Sequence, residues 1–227
     1  MRFNFADLES CQSAAGVLLI IDVLRAFSTA AYAFSRGARE IFLVSAVQEA
    51  LDLKSKHPHS KVMGEVGGLP PEGFDFGNSP TRILEQDLKG ITLIQRTAAG
   101  TQGVVQSVKG DYLFATSLVV ASATVDHVRL LKPSEVTFVL TGGMHNLEDM
   151  ACARYLEKKF TDQSTDPREY VQMVMDSMDA REHQEDHPQR PRSDLDYCTR
   201  IDCFDFAMPV MRKNGRFVMQ AVKNKGG

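Results

Sequence analysis

The sequence predicts an α/β fold, a mostly parallel sheet layered by helices. Short, nearly continuous apolar runs such as Val17–Val23 (VLLIIDV), Ile91–Gln95 and Val136–Leu140 suit strands buried on both faces. Segments of helical apolar spacing alternate with them. The joints carry turn residues, as in Arg96–Gly100 and Thr141-Gly142-Gly143. Strand and helix signals in alternation argue a parallel sheet.

Taken in order, Arg2–Phe5 is a short strand and Val17–Val23 the first buried one. A helix over Ser28–Arg36 is closed by Gly37 in the left-handed conformation. Ile41–Val44 is a strand. Ser45 and Gln48 have capping-box spacing, so a helix runs to Lys56. Lys61–Gly64 is a strand, Thr81–Asp87 a short helix, Ile91–Gln95 a strand and Thr101–Val108 a helix. Tyr112–Ala115, Ser117–Leu131, Val136–Leu140 and Asn146–Phe160 continue the alternation. Asp166, Pro167 and Glu169 give an N-cap, proline at the first helical position and an acid in the first turn, so a helix runs to Met178. Its methionines belong to the core. Arg181–Arg192 is charged and unperiodic, hence an exposed connection. Asp194–Cys203 is a candidate helix. Ala207–Val210 and Arg216–Val222 form a hairpin about Asn214-Gly215.

The 227 residues give ample length for a buried core. The expected division is 1–115 and 116–227. Hydrophobic residues make up 43% and charged residues 24%, ordinary for a globular protein. A net charge of −3 and pI of about 6.1 steer the chain toward neither nucleic acid nor anionic membrane. No apolar run reaches the ~18 residues needed to span a bilayer. The N-terminus shows no secretory signal. Cys11, Cys152, Cys198 and Cys203 form no CxxC pair, and the expectation is reduced thiols in the cytoplasm.

The stretch Gly64–Pro80, GEVGGLPPEGFDFGNSP, organises the functional reading. Its glycines and prolines exclude regular structure, while Val66, Leu69, Phe74 and Phe76 anchor it. A loop this long is functional or disordered. Its glycines allow close backbone approach to a ligand. Glu65, Glu72 and Asp75 suit a hard cation such as Mg²⁺, which takes oxygen ligands. The structural alternative is an Ω-loop whose acids face water.

In open α/β sheets, ligands bind at the carboxyl ends of strands. Those ends carry Asp22 and Arg25, then Glu65 and the long loop. They also carry Arg96, Thr97, Gly100 and Thr101, then Thr116 and Ser117, and last Thr141, Gly142, Gly143, Glu148 and Asp149. Acids, arginines and helix N-termini without a His or Cys cluster suit a phosphorylated anion held with Mg²⁺ and suit Zn²⁺ poorly. Each has a plainer role. Asp22 could cap the next helix, Arg96–Thr101 could be a bare connection, and acids in a first helical turn are favoured by the dipole. His183 and His187 have metal-ligand spacing, but Pro188 and the polar setting mark them as solvated. Cys203 is expected to be a packed thiol. The chain lacks a Cys-x5-Arg loop, a DxDxT segment, GxxxxGK[ST], GxGxxG and GxSxG.

These segments together resemble the 2-phosphosulfolactate phosphatase family. The match runs through IDVLRA at Ile21–Ala26, GEVGG at Gly64–Gly68 and EGFDFGNSP at Glu72–Pro80. It continues through Gly100-Thr101, LEDMACA at Leu147–Ala153 and DLDYCTRIDCFDFAMPV at Asp194–Val210. The resemblance implies a two-part α/β fold and Mg²⁺-dependent hydrolysis of a phosphate ester on a small sulfonated hydroxy acid. It adds weight to Asp22, Arg25, Glu65, Asp75, Asn78, Glu148 and Asp149. The expected catalytic residues are Asp22, Arg25, Glu148 and Asp149, with Asp22, Glu65, Asp75 and Asp149 as metal ligands. Arg25, Gly67, Gly68, Asn78 and Ser79 are expected to hold the substrate, together with Arg96, Thr97, Gly100 and Thr101. The chain departs from the family at RTAAGT (Arg96–Thr101), where a TTNGT-like turn is more usual, so Arg96 is expected to set substrate choice. A phosphatase for another small phospho-acid and a non-catalytic binder of a phosphorylated or sulfonated metabolite are the alternatives. Expected partners are the small phosphorylated acid and a second copy of the chain in a homodimer, with no nucleic acid and no membrane.

Overall fold

The structure, a computed structural model, describes residues 1–182 and 187–223. Its strands are β1 (Arg2–Ala6), β2 (Gly16–Ile21), β3 (Glu40–Leu43), β4 (Lys61–Gly64) and β5 (Thr92–Arg96), then β6 (Gly110–Thr116), β7 (Glu135–Leu140), β8 (Phe206–Lys213), β9 (Arg216–Met219) and β10 (Val222–Lys223). Its helices are α1 (Ala26–Ser35), α2 (Val47–Lys56), α3 (Pro80–Leu84), α4 (Gly100–Gln106) and α5 (Ala121–Leu130), then α6 (Leu147–Phe160), α7 (Pro167–Met175), α8 (Met178–Glu182) and α9 (Ser193–Cys198).

The strands form one ten-stranded sheet in the order β1-β7-β2-β6-β8-β9-β3-β5-β4, with β10 on β8. Two parallel leaves are distinguishable within it. One is β1-β7-β2-β6 and the other β3-β5-β4. The hairpin β8-β9 joins them through antiparallel pairings to β6 and β3. Those successive reversals leave the two leaves running in opposite senses. Helices α1 and α4 contact strands of the first leaf, and α4 also contacts β3 of the second.

The apolar run of β2 follows from this layering. Leu18 and Ile20 enter the core shared with α1 and with Ile41, Leu43, Met63 and Leu93 of the other leaf. Val17, Leu19 and Ile21 enter a second core with Phe138 and residues of α5, α6 and α7. Successive side chains of a strand face opposite ways, so a strand with a core on each face must be apolar throughout. In β5, Leu93 joins the first core, while Ile94 packs with Val62, Ala50 and Leu53 beneath α2.

Local chemistry explains most boundaries. Gly37 adopts φ +93° after α1. Asn146 caps α6 by accepting from the Asp149 amide at 2.9 Å, and Asp166 caps α7. Asn214 and Gly215 both have positive φ, as the hairpin turn between twisted strands requires. Some expectations need correction. The start of α2 is held by Glu49, whose carboxylate accepts from the Ser45 amide at 3.2 Å, so the box closes one residue later than Gln48. The helix from Asp166 ends at Met175, a new one starts at Met178, and Met178 is 78% exposed rather than in the core. Ser117–Leu131 divides into a 3-10 turn, Leu118–Val120, and α5. Among the described residues, no helix is long and apolar enough to cross a membrane.

Candidate active site

A cleft of about 370 Å³ opens where the two leaves bring their strand ends together. The joint between β2 and α1 supplies Asp22, Leu24 and Arg25. The long loop after β4 supplies Glu65, Gly67, Gly68 and Asn78, and the turn after β5 supplies Ala99. The far wall is Asp179 and Glu182 of α8, with Arg190.

Asp22 ends the apolar run of β2 and is buried. Its Oδ1 accepts from the Ala26 amide at 2.8 Å, tying it to the first turn of α1. Burial, and then the nearby carboxylates of Glu65 and Asp179, push its pKa from 3.8 to about 6. The amide hydrogen bonds from Ala26 and Gly100 pull the other way. Gly100 must be glycine here, because a Cβ would lie 2.7 Å from Asp22 Oδ2 and 2.8 Å from Ala26 Cβ.

Asp149 and Glu148 open α6, and both are buried. Asp149 Oδ1 accepts from the Val23 amide at 3.0 Å and Oδ2 from the Gly142 amide at 2.9 Å. It thereby clips the end of β2 to the turn after β7. Burial, then Asp22, drive its pKa well up. Glu148 Oε1 accepts from Asn146 Nδ2 at 2.7 Å. Burial, then a hydrogen bond and charge repulsion from Asp179, raise its pKa to about 7. That hydrogen bond links Glu148 to Asp179 of the cleft wall.

Arg25 is buried, and its Nη1 donates to Asp194 Oδ2 at 2.7 Å and to the Gln189 carbonyl at 3.1 Å. Asp194 is fully buried and also accepts from Ser79 Oγ at 2.7 Å and the Thr81 amide at 3.0 Å. This network satisfies the buried carboxylate and fixes the guanidinium. Ser79, expected to touch substrate, instead braces Asp194 and caps α3. Asn78 is 5% exposed and its Oδ1 has no partner among the described residues.

Other expected residues hold the loops that build the cleft. Glu65 accepts from the Ala98 amide at 2.6 Å and the Gly68 amide at 2.9 Å. It joins the loop of Gly67 and Gly68 to the turn after β5. Thr97 and Thr101 close that turn reciprocally, each hydroxyl accepting from the other's amide. Arg96 does not line the cleft. Its Nε donates to the Ser45 carbonyl at 3.1 Å and Nη1 to the Glu65 carbonyl at 2.9 Å. Gly64 beneath it has φ +137°, and a Cβ would lie 1.8 Å from the Arg96 carbonyl oxygen. Asp75 is also outside the cleft, paired with Lys54 at 2.8 Å and Lys61 at 3.3 Å and accepting from the Val62 amide.

Asp179, Glu182, Arg190 and Asp194 escaped the sequence reading as site residues. Arg190, within the expected exposed connection, is therefore part of the cleft wall. Asp194 had a signal in the DLDYCTRIDCFDFAMPV match, but nothing in the local pattern around Asp179 or Arg190 set them apart from surface charge. His183 lies outside the described residues. His187 accepts from the Gln189 amide through Nδ1 at 3.1 Å. Cys203 is exposed rather than packed, its Sγ 3.9 Å from Tyr32 Oη, and burial, as the largest influence, raises its thiol pKa.

The donor set matches Mg²⁺ in a restricted way. Among the described residues, no three His, Cys, Asp or Glu side chains form a metal cage. Mg²⁺ does not demand one, because it is commonly held by one or two carboxylates with several waters. Asp22 and the unpartnered Asn78 Oδ1 are hard oxygen donors on one cleft wall. Glu65 and Asp149 already accept amide hydrogen bonds on both oxygens.

Residues 5–214 match the family model of 2-phosphosulpholactate phosphatase. A probable 2-phosphosulfolactate phosphatase of Bacillus subtilis (strain 168) is 33% identical over 199 residues, covering 86% of this chain and 87% of that protein. One of Carboxydothermus hydrogenoformans is 32% identical over 216 residues, 90% of each chain. One of Thermotoga maritima is 28% identical over 212 residues, 89% of this chain and 91% of the relative. With a buried acid, a fixed arginine and a glycine-lined loop at one cleft, and a match across nearly its whole length, the chain belongs to the 2-phosphosulfolactate phosphatase family.

Proposed function

We propose that this chain is a Mg²⁺-dependent phosphatase that hydrolyses 2-phosphosulfolactate to sulfolactate and phosphate. The observation that carries the reading is the pairing of buried carboxyl groups with a fixed guanidinium. Burial raises the pKa of Asp22 to about 6 and that of Glu148 to about 7; Asp22 lines one cleft with Arg25, and Glu148 adjoins it through Asp179. Perturbed acids beside a specific charge partner in a cleft are the mark of acid–base work.

The chain's own residues divide the work. Arg25 neutralises charge on the equatorial phosphoryl oxygens, and its attachment to Asp194 means no reorganisation is needed when that charge develops. The Glu148–Asp179 pair takes the proton of the attacking water as its oxygen bonds to phosphorus. The ester P–O bond breaks, and the same pair returns the proton to the leaving alkoxide. A pKa of about 7 suits both directions at neutral pH. Asp22 and Asn78 would hold Mg²⁺, which supplies charge neutralisation at the phosphoryl oxygens when bound. Asp149 positions the Val23 amide and the turn at Gly142.

Activity on a panel of phosphorylated hydroxy acids, with Mg²⁺ and with EDTA, tests the reading. Hydrolysis of 2-phosphosulfolactate that needs Mg²⁺ is expected. Full turnover by metal-stripped enzyme would remove the metal from the mechanism. Tight binding without hydrolysis of any ester would leave a binding protein instead.

A further inference from the structure

A second hollow, about 180 Å³, adjoins the cleft. Gly67, Gly68 and Arg190 line both, and Leu69 and His187 complete its wall. The two spaces differ in charge. The cleft presents Asp22, Glu65, Asp179 and Glu182 beside its arginines, whereas among the described residues no carboxylate lines the side hollow. A guanidinium and an imidazole beside glycine amides suit an anion.

The donors are held together by a tight turn. The Arg190 amide donates to the His187 carbonyl at 2.8 Å. Because His187 Nδ1 accepts from the Gln189 amide, Nε2 is the ring nitrogen left to donate. The Arg190 side chain is 29% exposed and meets Glu182, 61% exposed, at 3.2 Å. Exposed pairs of this kind contribute little, so an incoming anion can take the guanidinium from Glu182. Arg25 has no such freedom, since Asp194 holds it at 2.7 Å in a buried pair.

We infer that Arg190, with His187, forms the subsite for the substrate's sulfonate, while Arg25 serves the phosphoryl group. This assignment rests on the phosphatase reading above. A sulfonate stays ionised at every relevant pH and offers oxygen pairs that a guanidinium fork can grip. Leu69, 48% exposed, gives the adjacent methylene an apolar surface.

The test compares wild type, Arg190→Ala and Arg190→Lys on three esters with Mg²⁺. These are 2-phosphosulfolactate, 2-phospholactate (a methyl in place of the sulfomethyl group) and p-nitrophenyl phosphate. Loss of a charge-assisted hydrogen bond predicts a roughly ten- to hundredfold rise in KM for 2-phosphosulfolactate in Arg190→Ala. Its kcat should stay within about threefold, as for a uniform binding interaction. The other two esters should change by less than about twofold, which also shows that the variant is folded, and Arg190→Lys should lie between. Equal losses on all three esters would place Arg190 at the phosphoryl group and overturn the subsite. An unchanged KM for 2-phosphosulfolactate would overturn the subsite alone. No wild-type turnover of 2-phosphosulfolactate would overturn the functional reading and the subsite with it.

Discussion

Replacing Asp22 by Asn should make the metal-free protein more stable and nearly inactive. Below pH 3.8 the Asp22 carboxyl is protonated in folded and unfolded chains alike. Above about pH 6 it is ionised in both, and the folded chain then carries a buried charge. Stability is therefore fully present at low pH and falls as pH rises through this window. The displacement from 3.8 to about 6 corresponds to about 3 kcal/mol at pH 8. Linkage leaves about 1 kcal/mol of it at pH 4.5. Asn keeps the oxygen that accepts from the Ala26 amide but turns an NH2 toward the Gly100 amide, a loss of about 1 kcal/mol. The net expectation for Asp22→Asn is a gain of about 2 kcal/mol at pH 8 and nearly none at pH 4.5. Urea unfolding in EDTA at the two pH values measures this directly. A gain that is the same at both pH values, or a loss at pH 8, would refute the buried-charge argument. In Mg²⁺ the ranking should invert as the wild type recovers stability through metal binding, and hydrolysis by Asp22→Asn should fall by about two orders of magnitude or more.

Gly100→Ala forces a methyl to within 2.7 Å of Asp22 Oδ2; activity should drop sharply with a stability loss of about 1–3 kcal/mol, and a fully active variant would show that Asp22 is not held where the structure has it. The kcat/KM of the wild type should rise through about pH 7 as Glu148 loses its proton; Glu148→Gln should lose that limb, and an unaltered pH profile would remove Glu148 from proton transfer. Asp194→Ala leaves Arg25 buried without its carboxylate, so thermal unfolding should report a loss of about 3–5 kcal/mol; under 1 kcal/mol would show that Arg25 finds solvent. Cys203→Ser should leave turnover within about threefold, since neither its exposed position nor its raised thiol pKa makes a nucleophile; a hundredfold loss would contradict that.

The fold was legible wherever a signal is local and repeated along the chain. Period-two packing against two cores produced the run at β2, and caps at Asn146 and Asp166 marked their helices. What the pattern could not show was the order of strands. The hairpin β8-β9 sits between the leaves, although nothing in its residues distinguishes a central hairpin from one at an edge. The site divides on the same line. Asp22 was visible because an acid ending a buried strand has few plain explanations. Arg96 and Asp75 had the right type and neighbourhood but are used up by partners remote in sequence, Ser45 and Glu65 for one and Lys54 and Lys61 for the other.

Asp179 illustrates the opposite case and says something about how this cleft is built. It lies on a five-residue helix with an exposed methionine at its start, a context that reads as surface. It matters because α8 brings it against Glu148, on a helix that begins after β7. Glu148 is shifted by burial first and by Asp179 second, so the full shift needs α8 packed beside the start of α6. The chain beyond α8 carries Arg190 and the Gln189 carbonyl that helps to hold Arg25. Charge repulsion among the cleft acids thus opposes this packing, and the Arg25–Asp194 pair, with Ser79 and the Thr81 amide on the same carboxylate, opposes that repulsion. An anionic substrate held by both Arg25 and Arg190 would add a further tie across the cleft and oppose the same repulsion.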